Sequence, residues 1–78
     1  MGVVRELLSR GTAVDAANAD GYTPLIIASE MGHVEVVREL LAHGAHPGVV
    51  ANDGATALSR AATNGHAAIA QLLHAAAL

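Results

Sequence analysis

Asp20-Gly21-Tyr22-Thr23-Pro24-Leu25 returns thirty-three residues later as Asp53-Gly54-Ala55-Thr56-Ala57-Leu58. At the same offset Ala28 returns as Ala61, Gly32-His33 as Gly65-His66, and Leu40 as Leu73. Running backwards, Gly44 maps onto Gly11, and Val36-Val37-Arg38-Glu39-Leu40-Leu41 onto Val3-Val4-Arg5-Glu6-Leu7-Leu8. A fixed period of roughly 20 to 50 residues marks stacked supersecondary units, each needing its neighbours to bury its apolar surface.

The residues within one period predict the unit. Asp20-Gly21 is a turn dipeptide, because glycine accepts the positive φ such turns require. Thr23 stands at an N-cap position, and Pro24 at the first helical position sacrifices no needed hydrogen bond. Leu25, Ala28 and Ser29 share one face, with Ile26 and Ile27 beside them. Gly32 stops this helix near Met31. A second helix is expected from about Val34 to His43, with Val36, Val37, Leu40 and Leu41 apolar, and Gly44 ends it. Each unit is then a turn or short hairpin, a helix of eight or nine residues, a tight bend and a slightly longer helix. Helices this short are marginal alone in water, and their apolar arcs are too wide for one neighbour. Each must be covered on both sides.

Composition narrows the functions. Seventy-eight residues make one small domain, and a chain this size buries only about 60% of its unfolded surface. Cysteine is absent, which removes disulfides and thiolate metal sites. Hydrophobic residues reach 53%, yet Tyr22 is the only aromatic and much of that share is alanine, which suits closely stacked helices. The only cations besides histidine are Arg5, Arg10, Arg38 and Arg60, and the net charge is −3, so nucleic acid is not an expected partner. No stretch reaches the roughly 18 apolar residues of a membrane span, and neither a signal peptide nor a myristoylation pattern is evident. The default compartment is the cytoplasm.

The chain resembles the ankyrin repeat family. That family's Asp-Gly-x-Thr-Pro-Leu-His-x-Ala-Ala, Gly-His, Leu-Leu and Gly-Ala pattern is met by Asp20-Gly21-Tyr22-Thr23-Pro24-Leu25, Ala28, Gly32-His33, Leu40-Leu41 and Gly44-Ala45. It is met again by Asp53-Gly54, Thr56, Leu58, Ala61-Ala62, Gly65-His66 and Leu73. The resemblance covers essentially the whole chain and implies an all-α helical-repeat solenoid. Its segments are 1–11, the second helix of a partial repeat; 12–44, a full repeat; and 45–78, a cap-like C-terminal repeat.

Departures from the pattern carry their own expectations. Ile26 and Ser59 replace a histidine that in the family ties neighbouring loops, which puts that hydrogen bonding in doubt. Pro47-Gly48 replaces Val-Asn, so that loop is expected to be looser or differently angled. Arg60 replaces the apolar residue held by Ile27, and His74 the leucine held by Leu41. A charge there is costly if buried, so both are expected on an outer, solvent-facing side. The opening helix lacks a first helix before it, which points to a longer array or to a second chain covering that face.

Candidate sites weigh unevenly. His43 and His46, spaced i, i+3, lack the acidic or cysteine neighbours that would complete a metal set, and His33 and His66 recur at the repeat's bend, so no metal or cofactor is expected. Ser29 and Ser59 fall at repeat core positions, no nucleophile elbow or phosphate loop occurs, and the chain lacks bulk for a walled pocket of about 300 Å³ or more, so no catalytic residues are assigned. Glu35, Arg38 and Glu39 read as a solvated helix face.

The concave side remains. In the family, hairpin tips and first-helix edges bind other proteins. By position that ladder is Ala17, Ala19, Tyr22, Glu30 and Met31, then Val50, Asn52, Ala55, Thr63 and Asn64. Tyr22 and Met31 are the expected anchors, since exposed aromatics and adaptable methionines favour interfaces. The second half of the ladder is nearly featureless, so affinity through this surface is expected to be modest. The leading reading is a non-enzymatic protein-binding scaffold. The alternatives are a homo-oligomer formed through the N-terminal helix face, and an accessory region of a larger enzyme.

Overall fold

A computed structural model describes residues 14–77. Among them are four α-helices and no strand: α1 (Pro24–Met31), α2 (Val34–Ala42), α3 (Ala57–Thr63) and α4 (Ala67–Ala77). The opening helix expected over 1–11, and with it self-association through that helix, lies outside the described residues.

Local chemistry sets the helix ends. Thr23 is extended and its hydroxyl accepts the Ile26 N–H at 3.3 Å, while Pro24 opens α1. Gly32, at φ 78°, closes α1 in a left-handed conformation that a β-carbon would penalise. α2 stops at Ala42, one residue short of the expected end, where Gly44 at φ 89° turns the chain and the Ala45 N–H closes onto the Leu40 carbonyl at 3.0 Å. α3 starts on a reciprocal cap. The Thr56 hydroxyl accepts the Ser59 N–H at 3.0 Å, and the Ser59 hydroxyl accepts the Thr56 N–H at 2.9 Å. Ser59, expected at a core position, is therefore an exposed capping residue, because a hydroxyl three residues after Thr56 satisfies an otherwise orphaned donor.

Packing joins the helices into two layers. α1 lies on α2 and α3 on α4 within each pair, while α1 meets α3 and α2 meets α4 between pairs. Leu25, Ile26, Ala28, Val36, Val37 and Leu40 of the first pair join Ala57, Ala61, Ile69 and Leu73 of the second in one core. Each buried leucine, isoleucine or valine contributes about 1.5–3 kcal/mol. Alanines at 28, 57 and 61 let the backbones of α1 and α3 approach closely. Ser29 is also fully buried, and its hydroxyl has no hydrogen-bond partner among the described residues. Such a group costs about 1–3 kcal/mol, which the surrounding packing offsets.

Arg60 and His74 do not share one environment. His74 is exposed, as expected. The Arg60 side chain is only 32% exposed and folds back onto the first pair, so it does not mark an outer face. Its repeat counterpart Ile27 explains the error: that position is not buried between repeats but lies on the open edge of the first helix.

Candidate functional site

The site begins at two hairpin tips. In the first, the Asn18 N–H donates to the Tyr22 carbonyl at 3.0 Å and the Gly21 N–H to the Asn18 carbonyl at 2.9 Å. The Asn18 side-chain oxygen accepts the N–H groups of Asp20 and Tyr22, both at 3.0 Å, which locks the turn. The second tip repeats the backbone pattern through Ala51 and Ala55 at 2.8 Å, with the Asp53 carboxylate accepting the Ala55 N–H at 3.0 Å. Asn52 joins the tips. Its N–H reaches the Asp20 carbonyl at 3.0 Å and its side-chain amide the Ala19 carbonyl at 3.1 Å.

A second set of bonds ties the helix ends. The Glu30 carbonyl, near the end of α1, accepts the Asn64 amide at 3.1 Å and the His66 Nε2–H at 3.1 Å. These asparagines and His66 replace the inter-repeat bonding that Ile26 and Ser59 put in doubt. Asp15 supplies a further tie: its carboxylate accepts the His46 N–H at 3.0 Å and lies 2.7 Å from the His46 ring Nδ1. Partial burial raises the Asp15 pKa, but the two His46 hydrogen bonds outweigh it and leave the carboxyl below its usual value. The loop at Pro47-Gly48 is thus anchored at His46.

Tyr22 is held by the second repeat. Its hydroxyl donates to Asp53 Oδ2 at 2.8 Å and accepts from Arg60 Nη2 at 3.0 Å, while Arg60 lies 3.5 Å from the same carboxylate. The guanidinium carbon stands 6.0 Å from the ring centroid, the outer limit of a cation–π contact. The bond to Asp53 holds the Tyr22 phenol above its usual pKa, and the same bond holds the Asp53 carboxyl below its own.

Beside Tyr22 an open cleft of about 430 Å³ is lined by Asn18, Asp20, Tyr22, Ile27, Glu30, Asn52 and Asp53. It exceeds the size expected of so small a chain because two hairpin tips and a helix edge stand apart around it; it faces solvent and encloses nothing. Three of its lining residues carry carboxylates and none carries a cation.

The expected ladder is only partly reproduced. Tyr22, Glu30 and Asn52 meet at the cleft. Met31, 61% exposed, stands on the same helix, and Thr63, Asn64, Val50, Ala17 and Ala19 are exposed. Asn52 and Asn64 spend their amides stitching the two repeats. Ala55 does not belong to the surface. It is buried in the core, because its small side chain fits under the second tip where Tyr22 rises from the first. Sequence reasoning missed Ile27 and Asn18 as cleft residues, turned Arg60 outward when it folds back onto Tyr22, and assigned Asp20 and Asp53 to the turns alone. The Ile27-to-Arg60 exchange was visible as a signal, but its direction was not.

Among the described residues no three of His, Cys, Asp and Glu converge as a metal set, and no described helix is long and apolar enough to cross a membrane. A family model described as ankyrin repeats, in three copies, matches residues 1–77. No curated protein matches the chain.

Proposed function

The chain belongs to the ankyrin repeat family, whose repeats are generally protein-interaction modules, and we propose that it is a non-enzymatic scaffold binding a partner protein along its concave edge. The surface is centred on Tyr22, with Glu30, Met31 and Asn52 beside it and Thr63 and Asn64 at its margin.

One observation carries this reading. Tyr22 is partly exposed at the cleft, and its hydroxyl is fixed by Asp53 and Arg60 of the neighbouring repeat. A rigid aromatic held before the partner arrives loses little conformational entropy on binding, which is what makes tyrosine a common anchor. Ile27, 39% exposed, and Met31 extend the contact area along α1.

A random peptide library selected against the full chain tests the placement. Tyr22→Ala combined with Met31→Ala should weaken the selected peptides by at least about tenfold, equivalent to about 1.4 kcal/mol, while the helical circular dichroism is kept. Unchanged affinity in a folded double variant would move the site elsewhere.

A further inference from the structure

We propose that Asn64 is a site of spontaneous deamidation, and that its conversion to aspartate or isoaspartate unfastens one end of the join between the two helix pairs. This holds whichever surface binds a partner.

Three observations meet at this residue. The first is chemical. Asn64 precedes Gly65, and glycine has no side chain to shield its backbone nitrogen. That nitrogen, once it has given its proton to hydroxide, attacks the carbonyl carbon of the Asn64 side chain. A carbon–nitrogen bond forms there, the bond to the amide nitrogen breaks, and ammonia leaves with a proton from water. Water then opens the cyclic imide at one of its two carbonyls. One opening gives aspartate; the other routes the main chain through the side chain and gives isoaspartate. The other two asparagines precede residues that carry side chains, Ala19 after Asn18 and Asp53 after Asn52. Asp20-Gly21 and Asp53-Gly54 share the glycine, but a carboxylate is a far poorer electrophile than an amide.

The second observation is access. Asn64 caps the C-terminal end of α3, at seven residues the shortest described helix, and Asn64 and Gly65 are both exposed. Ring closure needs the bend to release the Gly65 N–H from the Ala62 carbonyl, 3.2 Å away, and the Asn64 amide from the Glu30 carbonyl. Short helices open from their ends. The equivalent bend of the first pair is covered, because the His66 ring stands over Gly32, whereas a β-carbon on Gly65 would meet nothing within 4 Å. The reactive dipeptide thus occupies the uncovered bend, and the covered one carries Met31-Gly32 in its place.

The third observation is what the amide does. It donates to the Glu30 carbonyl at 3.1 Å, which also accepts from His66 Nε2. A carboxylate in its place sets an acceptor against an acceptor, so the bond gives way to repulsion. Isoaspartate also adds a backbone carbon to a bend whose glycine stands at φ 75°. His66 is then left to hold this end of the join.

Peptide mapping separates the three asparagines. Trypsin, cutting after the arginines, places Asn18 in 11–38, Asn52 in 39–60 and Asn64 in 61–78. During mildly alkaline incubation of the folded full chain, the mass change of amide-to-acid conversion should appear first in 61–78, and fragmentation should place it at Asn64 rather than Gln71. The aged chain and freshly made Asn64→Asp should both melt about 4–8 °C below the fresh protein, the shift that losing one hydrogen bond produces in a domain this size. Asn64→Gln should keep 61–78 unchanged over the same period. A first conversion at Asn18 or Asn52, or none at Asn64, would overturn the site. An aged chain or an Asn64→Asp variant that melts with the fresh protein would overturn the loosening of the join.

Discussion

Leu25 and Leu58 hold the same place in successive helix pairs, yet the first is 0% exposed and the second 42%. The glycines tell the same story. A β-carbon on Gly21 would stand 2.8 Å from the Asn52 side-chain oxygen and 2.9 Å from its backbone nitrogen, whereas one on Gly54 would meet nothing within 4 Å. One on Gly32 would lie 2.6 Å from the His66 ring, and one on Gly65 again meets nothing. Both pairs carry the same motif and make the same turns. What differs is whether another pair stands against them, so a repeat's local shape is its own property while its burial belongs to its neighbour.

The comparison is sharpest at the leucines. Leu25→Ala should cost about 2–5 kcal/mol, enough to unfold much of so small a chain, whereas Leu58→Ala should cost under about 1 kcal/mol. Urea denaturation followed by circular dichroism measures both, and equal losses would mean that the two faces are equally covered in solution.

The glycines give a smaller contrast. Gly21→Ala and Gly54→Ala both pay about 1–2 kcal/mol for a left-handed backbone with a β-carbon, at φ 81° and 86°. Only Gly21→Ala also displaces Asn52 and weakens its bonds to Asp20 and Ala19, adding about 1–2 kcal/mol. Matching melting temperatures for the two variants would break the claim that Asn52 seats against Gly21.

The smallest effect is electrostatic and tests the join between the repeats directly. Tyr22 is the only aromatic residue, so ultraviolet absorbance at high pH reports its ionisation alone. Its pKa should exceed the ordinary 10.0; Asp53→Asn should lower it and Arg60→Gln raise it further. Because the folded-state pKa is raised, the stability linked to Tyr22 is fully present below about pH 10 and is lost as pH climbs through the folded value. Asp53 has the opposite sign, its contribution being present above about pH 3.8 and lost as pH falls through the lowered folded value. A Tyr22 titration indifferent to both substitutions would mean that the second repeat does not hold the ring.

How far the sequence could be read depended on the range of each interaction. Thr23, Pro24 and Gly32 mark the ends of α1 through bonds spanning a few residues, and they lie where the sequence predicted them. Ser59 was misplaced although its bonds are equally local, because treating it as the counterpart of Ile26 hid the capping relation to Thr56. Ala55 was misplaced for a related reason. Its counterpart Tyr22 is large enough to rise from the first tip, and alanine in the same register stays beneath the second.

The period of thirty-three, the turn glycines, the caps and the apolar faces are written in the chain and determine an ankyrin-type stack by themselves. They can do so because each acts over a single turn of backbone or repeats at a fixed interval. The tertiary structure alone decided that Arg60 reaches back thirty-eight positions to Tyr22, that Asn52 and Asn64 stitch the repeats, and that Asp20, Glu30 and Asp53 face one opening. Those relations depend on the height and angle at which one repeat settles on the next, which the packing of Leu25, Ala28, Ala57 and Ala61 sets.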